Sequence, residues 1–340
     1  MKKENNAPID FVIAWVDGGD KQWLAEKNKY LAEYFGLESV IDQGEYRYRD
    51  WELMPYWFRA VEKYAPWVRT IHFVTCGQHP DWLKKDHPKL HYVDHKDYIP
   101  KEYLPTFNSH TIELNMHRIE GLSEQFVYFN DDMFITKPVK PEDFFENGLP
   151  KDVFALDCIY HAEGSAGPYN SNDITVINNH FNKDEQFKKH RKKWFKLCYG
   201  KKKLYQTAVL LPWHWFPGLY YQHLPGNFLK STLEEVWEKE EKLLDETSRS
   251  KFRGKEQVNQ WLFKYWQLAD GRFMPKAIKD GRCYHLKDKG VEDLCQSIRE
   301  KKYQLICIND TDKTTDFEQK KADIIKAFEA VLPEKSSFEC

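Results

Sequence analysis

Short, nearly continuous apolar runs alternate with helix-like stretches through the first half of the chain. The first run, IDFVIAWV, occupies 9–16, and similar runs occupy 70–76, 90–93 and 125–129. Apolar residues on both faces of a strand are typical of a parallel sheet covered by helices. The alternation predicts an α/β fold with a mostly parallel sheet flanked by helices.

The remaining elements are predicted from the same periodicities. We expect helices over 51–64, 80–85, 109–119, 233–247, 256–268 and 316–331, and further strands over 153–158, 174–177 and 304–308. No internal repeat or low-complexity linker divides the chain. We expect an α/β core over 1–180, a mainly helical extension over 181–300, and a return strand and C-terminal helix over 301–340 that complete the core.

Composition and charge exclude several classes of protein. The chain has 51 basic and 53 acidic side chains, a near balance that argues against a nucleic-acid binder. It has no apolar run of about 18–20 residues, as a membrane span needs, and residues 1–10 lack the apolar stretch of a signal peptide. Its seven cysteines are an odd number with no C-x-x-C pair, so a reducing cytoplasm is the expected location.

The first apolar run leads into the loop Trp15-Val16-Asp17-Gly18-Gly19-Asp20. Open parallel sheets bind ligands at the carboxyl ends of their strands, and glycines let the backbone approach a phosphate or ribose closely. Asp17 and Asp20 could therefore bind a ribose hydroxyl or a metal. The alternative is a capped turn that leads into a helix starting near Gln22.

Three polar residues, Asn130-Asp131-Asp132, follow the run at 125–129. Unpaired buried carboxylates are costly, so this segment needs a cation or a solvated loop. Magnesium and manganese are held by one or two carboxylates together with phosphate oxygens, an arrangement that suits a nucleotide-sugar diphosphate. The alternative is an ordinary polar strand end.

A capping pattern precedes the helix predicted at 109–119. Asn108 or Ser109 can cap this helix, and Glu113 and His117 lie one turn apart on it. Free N–H groups at its start would suit an anion. A structural cap on a surface helix is the alternative.

Three further residues are candidates only in combination. His223 can take a proton from a hydroxyl near neutral pH, and Arg253 can neutralise phosphate oxygens. Asp310 follows the strand predicted at 304–308. Each alone is equally well explained as a packed or solvated side chain.

These segments together resemble the Stealth family of sugar-phosphate transferases. IDFVIAWVDGGD resembles the first conserved block, and the long stretch from Arg49 through FNDDMF at 129–134 resembles the second. HLP at 223–225 and FRGKEQVNQWLFKYW at 252–266 resemble the third, and CINDTD at 307–312 resembles the fourth. The blocks occur in the family's order across 9–312. The resemblance implies that the α/β core is a nucleotide-sugar-binding, GT-A-like Rossmann-type core.

The resemblance implies transfer of a hexose-1-phosphate from a nucleotide sugar, usually a UDP-sugar, to an acceptor hydroxyl. A phosphodiester in a bacterial polysaccharide would form, and UMP would leave. A divalent cation, Mg²⁺ or Mn²⁺, is the expected cofactor. The expected partners are the donor and a glycan acceptor on a lipid carrier. Two interpretations compete with this one: a metal-dependent glycosyltransferase that releases UDP, and a module that only binds nucleotide or polysaccharide.

The resemblance also assigns residues. Catalytic roles fall on His223, Arg253, Asp132 and Asp310, and metal binding falls on Asp131, Asp132 and Asp310. The predicted donor-binding residues are Trp15, Asp17, Gly18, Asp20, Arg49, Arg59, Asn108, Ser109 and Glu113, and Asp50, Asn130 and Asn309 also match the blocks.

A basic stretch at 183–203 precedes an aromatic stretch at 211–221. Lysine and arginine clusters favour anionic lipid surfaces, and tryptophan and tyrosine favour the headgroup zone. The pair predicts a peripheral membrane contact through 183–221 at the inner face of the membrane. A solvated helix face beside an aromatic core or sugar-stacking wall is the alternative.

Overall fold

The computed structural model describes residues 7–35, 49–162, 165–286, 290–310 and 315–340. Strands lie at Ile9–Ala14 (β1), Ile71–Thr75 (β2), Leu90–Asp94 (β3), Gln125–Phe129 (β4), Met133–Ile135 (β5), Phe145–Glu146 (β6), Leu149–Asp152 (β7), Gly226–Leu229 (β8), Met274–Pro275 (β9), Gly281–His285 (β10) and Leu305–Asn309 (β11). Helices lie at Lys21–Phe35 (α1), Met54–Tyr64 (α2), His95–Tyr98 (α3), Ser109–Leu114 (α4), Pro141–Phe144 (α5), Gly167–His180 (α6), Lys183–Trp194 (α7), Gly200–Leu210 (α8), Lys230–Lys239 (α9), Glu241–Arg249 (α10), Trp261–Ala269 (α11), Val291–Arg299 (α12) and Phe317–Glu329 (α13).

The central sheet has the strand order β3-β2-β1-β4-β8. Its first four strands are parallel, and β8 is antiparallel to β4. The predicted mostly parallel α/β sheet is thus confirmed. The chain builds outward from β1 to β3 and then returns to the other side of β1, so the strand order reverses between β1 and β4. Ligands of such sheets bind in the crevice at this reversal, outside the carboxyl ends of the strands.

A second sheet has the order β10-β11-β5, with β10 parallel and β5 antiparallel to β11. Only the connector Asn130–Asp132 separates β5 from β4, so it links the two sheets. The backbone N–H of Ile308 donates to the carbonyl of Asp132 at 2.7 Å. The strand predicted at 304–308 therefore forms as β11 and ends beside the crevice.

Both faces of the central sheet are buried. On one face, Phe11 packs edge-on against Trp57 of α2 and tilts against Phe129 of the neighbouring strand. On the other face, Val12 joins a separate cluster that includes Leu262 of α11. Burying one such side chain contributes roughly 1.5–3 kcal/mol. The two faces together hold the carboxyl ends of β1 and β4 in fixed relative positions.

The expected strand at 174–177 is wrong, because these residues lie inside α6. Ile174 and Val176 are β-branched, which favours strand from local preference alone. However, Asn170, Asp173, Ile174 and Ile177 are all buried, a spacing of three and four residues. Tertiary packing of that face overrides the local preference.

Two other expected elements are also wrong. No helix forms over 80–85, because Leu83 bridges to Glu339 and the N–H of Lys84 donates to the carbonyl of Phe338. These backbone groups bond to the C-terminal segment instead of to one another. Residues 153–158 make one β-bridge, between Leu156 and Leu219, instead of a strand.

The predicted helical extension contributes strands to both sheets. β8 lies at the edge of the central sheet, and β10 at the edge of the second. Helices α7 to α12 fall within 181–300. The division at 180 and 300 stays a prediction.

Asp10 is a fully buried carboxylate at the opposite end of β1 from the crevice. Arg69 contacts both of its oxygens, His72 Nε2 lies 3.1 Å from Oδ2, and the N–H of Ser123 donates at 2.8 Å. Burial alone raises the pKa of Asp10, but the bonds from His72, Arg69 and Ser123 outweigh it and lower the pKa to about 2. The group thus ties β1 to β2.

Asp10→Asn is expected to lower the free energy of unfolding by about 3–5 kcal/mol near neutral pH, because it leaves buried partners uncompensated. A depressed folded-state pKa gives stability that is present above about pH 4 and lost as the pH falls towards 2. Urea unfolding across pH 2–7 measures both effects. The exposed Asp81→Asn is the matched control. Equal stability of the two variants would contradict this role.

Candidate active site

The loop after β1 is held by the side chain of Gln78. Its Oε1 accepts from the N–H of Asp17 at 2.8 Å, and its Nε2 donates to Oδ2 of Asp20 at 3.1 Å. Oδ1 of Asp20 accepts from the N–H of Gln22 at 2.8 Å at the start of α1. The expected capped turn is therefore present, with Gly18 at its centre. Trp15 stacks on Phe73 with ring centroids 5.7 Å apart.

Carboxylates concentrate at the carboxyl ends of β1 and β4. Surrounding protein raises the pKa of Asp131 to about 7, and the carboxylates of Asp132 and Asp50 add to the rise, although Asp131 stays accessible to solvent. The pKa of Asp50 is also raised, by the surrounding protein and then by nearby carboxylates that include Asp17. These four residues form an acidic crevice that suits a cation.

Asp132 lies at the centre of the most compact polar group in the crevice. His223 Nε2 is 3.3 Å from Oδ2 of Asp132, and the Cys307 thiol donates to the same oxygen at 3.2 Å. Oδ1 of Asp132 is buried and has no hydrogen-bond partner among the described residues. An orphaned buried carboxylate oxygen is costly, so this atom fits a ligand to a cation.

The contact with Asp132 favours the protonated form of His223. Burial alone lowers the pKa of His223, but the charge of Asp132 and its hydrogen bond outweigh burial and raise the pKa to about 9. The imidazole is therefore protonated at neutral pH while it faces Asp132. It becomes a proton acceptor when the charge of that carboxylate is neutralised or engaged elsewhere.

Arg253 lies against the start of α4. Its Nη2 donates to Oγ of Ser109 at 2.6 Å, and the residue is exposed to solvent. Asn108 caps α4 by accepting from the N–H of His110 at 3.1 Å. The buried Asn108 amide also donates to Oε1 of Gln257 at 3.0 Å, which positions the segment that carries Arg253.

Glu113 interacts electrostatically with both His223 and Arg253. It is buried, which raises its pKa to about 7, while the positive charges of Arg253 and His223 act in the opposite direction. The hydroxyl of Tyr128 donates to Oε1 of Glu113 at 3.4 Å. Both cations thus act on one carboxylate, which brings the predicted histidine and arginine to the same region.

Asp310 lies just past the end of β11. Its carboxylate accepts from Arg49 Nη2 at 3.1 Å and from the indole N–H of Trp51 at 3.2 Å. The bond from the N–H of Ile308 to the carbonyl of Asp132 places the end of β11 beside the β4–β5 connector. Residues 311 and 312 of the fourth block lie outside the described residues.

Arg59 is engaged elsewhere. Its guanidinium makes two bonds to the carboxylate of Glu339, at 2.8 and 2.7 Å, and a third to the carbonyl of Leu332 at 3.1 Å. These contacts fix the C-terminal segment against α2. No contact among the described residues joins Arg59 to the other residues predicted to bind the nucleotide-sugar donor. Its role in binding that donor stays a prediction.

Three residues of this region were not predicted. Contacts with predicted site residues are made by Cys307, Gln78 and Gln257. No local sequence pattern marks any of the three as a site residue. Cys307 lies in an apolar strand, where a cysteine is typical core. The glutamines contact residues that are distant in the chain. Only the matched blocks pointed to their neighbourhoods, since Gln78, Gln257 and Cys307 lie within the second, third and fourth of them.

Comparison with known proteins gives full-length relatives. The family models of Stealth protein conserved region 1 and conserved region 2 match residues 7–34 and 47–152. The capsular polysaccharide phosphotransferase WcwK of Streptococcus pneumoniae is 44% identical over 99% of both chains. The receptor polysaccharide phosphotransferase WefC of Streptococcus gordonii is 44% identical over 97% of this chain and 98% of its own. The exopolysaccharide phosphotransferase cps2G of Lactiplantibacillus plantarum is 38% identical over 97% and 96%.

Proposed function

Because this chain belongs to the Stealth family of polysaccharide phosphotransferases, we propose that it transfers hexose-1-phosphate from a UDP-sugar to a hydroxyl of a glycan acceptor. The acceptor oxygen bonds to the β-phosphorus, and the bond from that phosphorus to the oxygen bridging the two phosphates breaks. UMP leaves, and the product is a phosphodiester. The contact of His223 with Asp132 at the crevice is the observation that carries the proposal.

The proposed roles follow from charge and position. His223, in its neutral form, takes the proton of the acceptor hydroxyl as the new bond forms. Arg253 stabilises the negative charge on the oxygens of the transferred phosphate, since phosphoryl transfer depends mainly on positioning and charge neutralisation. Oγ of Ser109 accepts a hydrogen bond from the Arg253 guanidinium at 2.6 Å, and Glu113 interacts with the charges of both Arg253 and His223. The loop from Trp15 to Asp20 and Arg49 contact the nucleotide.

A divalent cation, Mg²⁺ or Mn²⁺, is part of the proposal. The residues fit one, because Asp132 Oδ1 is an orphaned buried carboxylate oxygen and the neighbouring Asp131 interacts with the charges of both Asp132 and Asp50. When bound, the cation neutralises charge on the diphosphate. Asp132 holds it, and Asp131 and Asp310 are the further ligands that we propose. Engaging Asp132 in this way also weakens its hold on His223 and favours the neutral imidazole.

Incubation with a panel of UDP-sugars, acceptor oligosaccharide and Mg²⁺ or Mn²⁺ is expected to release UMP. Cleavage between the two phosphates leaves the β-phosphorus on the sugar, whereas a glycosyltransferase breaks the anomeric C–O bond and releases UDP. Separation of the nucleotides by anion-exchange chromatography measures the ratio. A chelator is expected to abolish release, and re-added Mg²⁺ to restore it. Release of UDP would overturn the proposal in favour of the glycosyltransferase.

The location of the acceptor is the last part of the proposal. No helix in the described part of the chain is long and apolar enough to cross a bilayer. Trp213 and Trp215 are 60% and 54% exposed, next to the lysine-rich faces of α7 and α8. Exposed indoles beside lysines suit an anionic headgroup layer. We infer that 183–221 rests on the inner face of the membrane, where a lipid-linked acceptor is presented to the cytoplasmic enzyme.

Vesicles that contain anionic lipid are expected to carry the protein upward in a flotation gradient at low salt. Replacing Trp213 and Trp215 by serine removes the side chains that would insert, so flotation is expected to fall. Tyr34→Ser, which changes an exposed aromatic on α1, is the control. High salt is also expected to release the protein, because each lysine near the surface contributes about 1 kcal/mol that salt screens. Absence of flotation at low salt would rule this contact out.

A further inference from the structure

The group around Asp132 combines two residues of the proposed transfer, Asp132 and His223, with a third, Cys307, to which that transfer assigns no role. Asp132, His223 and Cys307 each offer one ligand atom, and the three atoms lie within 4.8 Å of one another. They come from three separate parts of the chain: the β4–β5 connector, the segment before β8, and β11. Because the packing of both sheets fixes them, the three groups converge without any ligand to draw them together.

The spacing matches a tetrahedral metal centre. Ligand atoms that bind one zinc ion at about 2.0–2.3 Å lie roughly 3.3–3.8 Å apart at tetrahedral angles. Here the sulfur of Cys307 is 3.2 Å, and His223 Nε2 is 3.3 Å, from the shared Oδ2 of Asp132. These separations require only small side-chain movements to admit an ion. Three protein ligands also leave a fourth position open.

The chemistry of the donors selects the class of ion. Magnesium and manganese prefer oxygen ligands, and a thiolate and an imidazole are not their first choice. Sulfur and nitrogen donors with one carboxylate are typical of Zn²⁺. A second thiol supports this choice, because Cys283 lies directly opposite Cys307 in the parallel β10–β11 pair and is hydrogen-bonded to it. Asp132 Oδ1, buried without a partner among the described residues, completes the polar recess.

We propose that Asp132, His223 and Cys307 form a binding site for a thiophilic divalent cation of the Zn²⁺ class. The ion binds the sulfur of Cys307 and Nε2 of His223, and each of the two groups releases its proton to solvent. Binding itself rests on geometry alone. Its consequence rests on the proposed function: with Nε2 and Asp132 occupied, His223 takes no proton from the acceptor. Such an ion therefore inhibits the Mg²⁺-supported transfer.

Co²⁺ is a spectroscopic probe for this site. Titration of the full-length, metal-free protein is expected to give one equivalent of tetrahedral d–d bands and a thiolate-to-cobalt charge-transfer band, and Zn²⁺ is expected to displace both. Cys307→Ser is expected to remove the charge-transfer band and weaken Zn²⁺ binding by more than about 100-fold. Cys158→Ser and Cys198→Ser, which change exposed thiols, are the controls and keep both. Thermal unfolding establishes that each variant is folded.

Two readouts separate this inference from the proposed function. A charge-transfer band that persists in folded Cys307→Ser, or a wild-type protein without the band at one equivalent, would overturn the site. Inhibition of UMP release by Zn²⁺ is expected to need at least about 10-fold more metal in Cys307→Ser than in Cys158→Ser. Equal inhibition would overturn the consequence. Failure of the protein to release UMP at all would count against the transfer alone, because the cobalt spectrum does not depend on it.

Discussion

Replacing Arg253 by alanine is expected to lower kcat by about 10³–10⁵-fold, the range that removal of a phosphate-neutralising arginine costs in phosphoryl transfer. Arg253 is exposed to solvent and its guanidinium donates to Oγ of Ser109 at 2.6 Å, so it is positioned before substrate arrives. Single-turnover assays with saturating donor measure the chemical step. We expect little change in the dissociation constant of the donor, because the charge on the phosphate grows mainly in the transition state.

Two further variants sharpen this result. Arg253→Lys is expected to recover only part of the rate, because an ammonium group cannot reproduce the planar two-pronged contact of a guanidinium. Arg249→Ala is the matched control, since that side chain is exposed and contacts Asp245, one turn away, and Tyr103. Equal rates for Arg253→Ala and Arg249→Ala would exclude Arg253 from the chemistry.

Replacing His223 by alanine is expected to lower kcat by about 10²–10⁴-fold, the usual contribution of a positioned acid or base. Donor binding should change little, because the proposed partner of His223 is the acceptor hydroxyl. His180→Ala, a change of an exposed histidine that pairs with Glu240, is the control. Unchanged turnover in His223→Ala would remove this residue from the mechanism.

The pH profile provides a second readout for the same residue. A proton acceptor works in its neutral form, so kcat/KM should rise with pH until the histidine has lost its proton. The pairing with Asp132 raises the pKa of His223 to about 9, and engagement of Asp132 by a cation moves it downward. The rising limb should therefore lie at or below pH 9. His223→Ala is expected to lose that limb, whereas a histidine with only a structural role would leave it in place.

Strands buried on both faces were the part of the fold that the sequence predicted best. β1, β2 and β4 form where apolar runs occur, because a central strand needs apolar side chains on both sides. The edge strand β3 also forms where it was predicted, although most of its residues are only half-buried. The buried helix α6 was missed, since its β-branched residues resemble a strand locally. The segment at 80–85 was missed because its backbone partners lie at the C-terminus, more than 250 residues away.

The predicted site residues also differ in where the fold places them. His223 and Asp132 were singled out from chemistry and resemblance, and the fold places them 3.3 Å apart. Arg59 was singled out equally, but its guanidinium binds Glu339. Nothing local distinguishes an arginine that holds the fold from one that faces a ligand. Cys307 was overlooked for the converse reason, because its neighbours in the strand are all core residues.

The bond from Ile308 to the backbone of Asp132 has a consequence for how the protein is made. A nascent chain emerges from the ribosome from its N-terminus, and its early segments fold first. The four parallel strands can assemble once about 130 residues have left the ribosome. In contrast, β11, which bonds to Asp132 and contains Cys307, is synthesised last but one among the elements described. Translation that stops before residue 305 would therefore yield a protein with a nearly complete central sheet and no working catalytic centre.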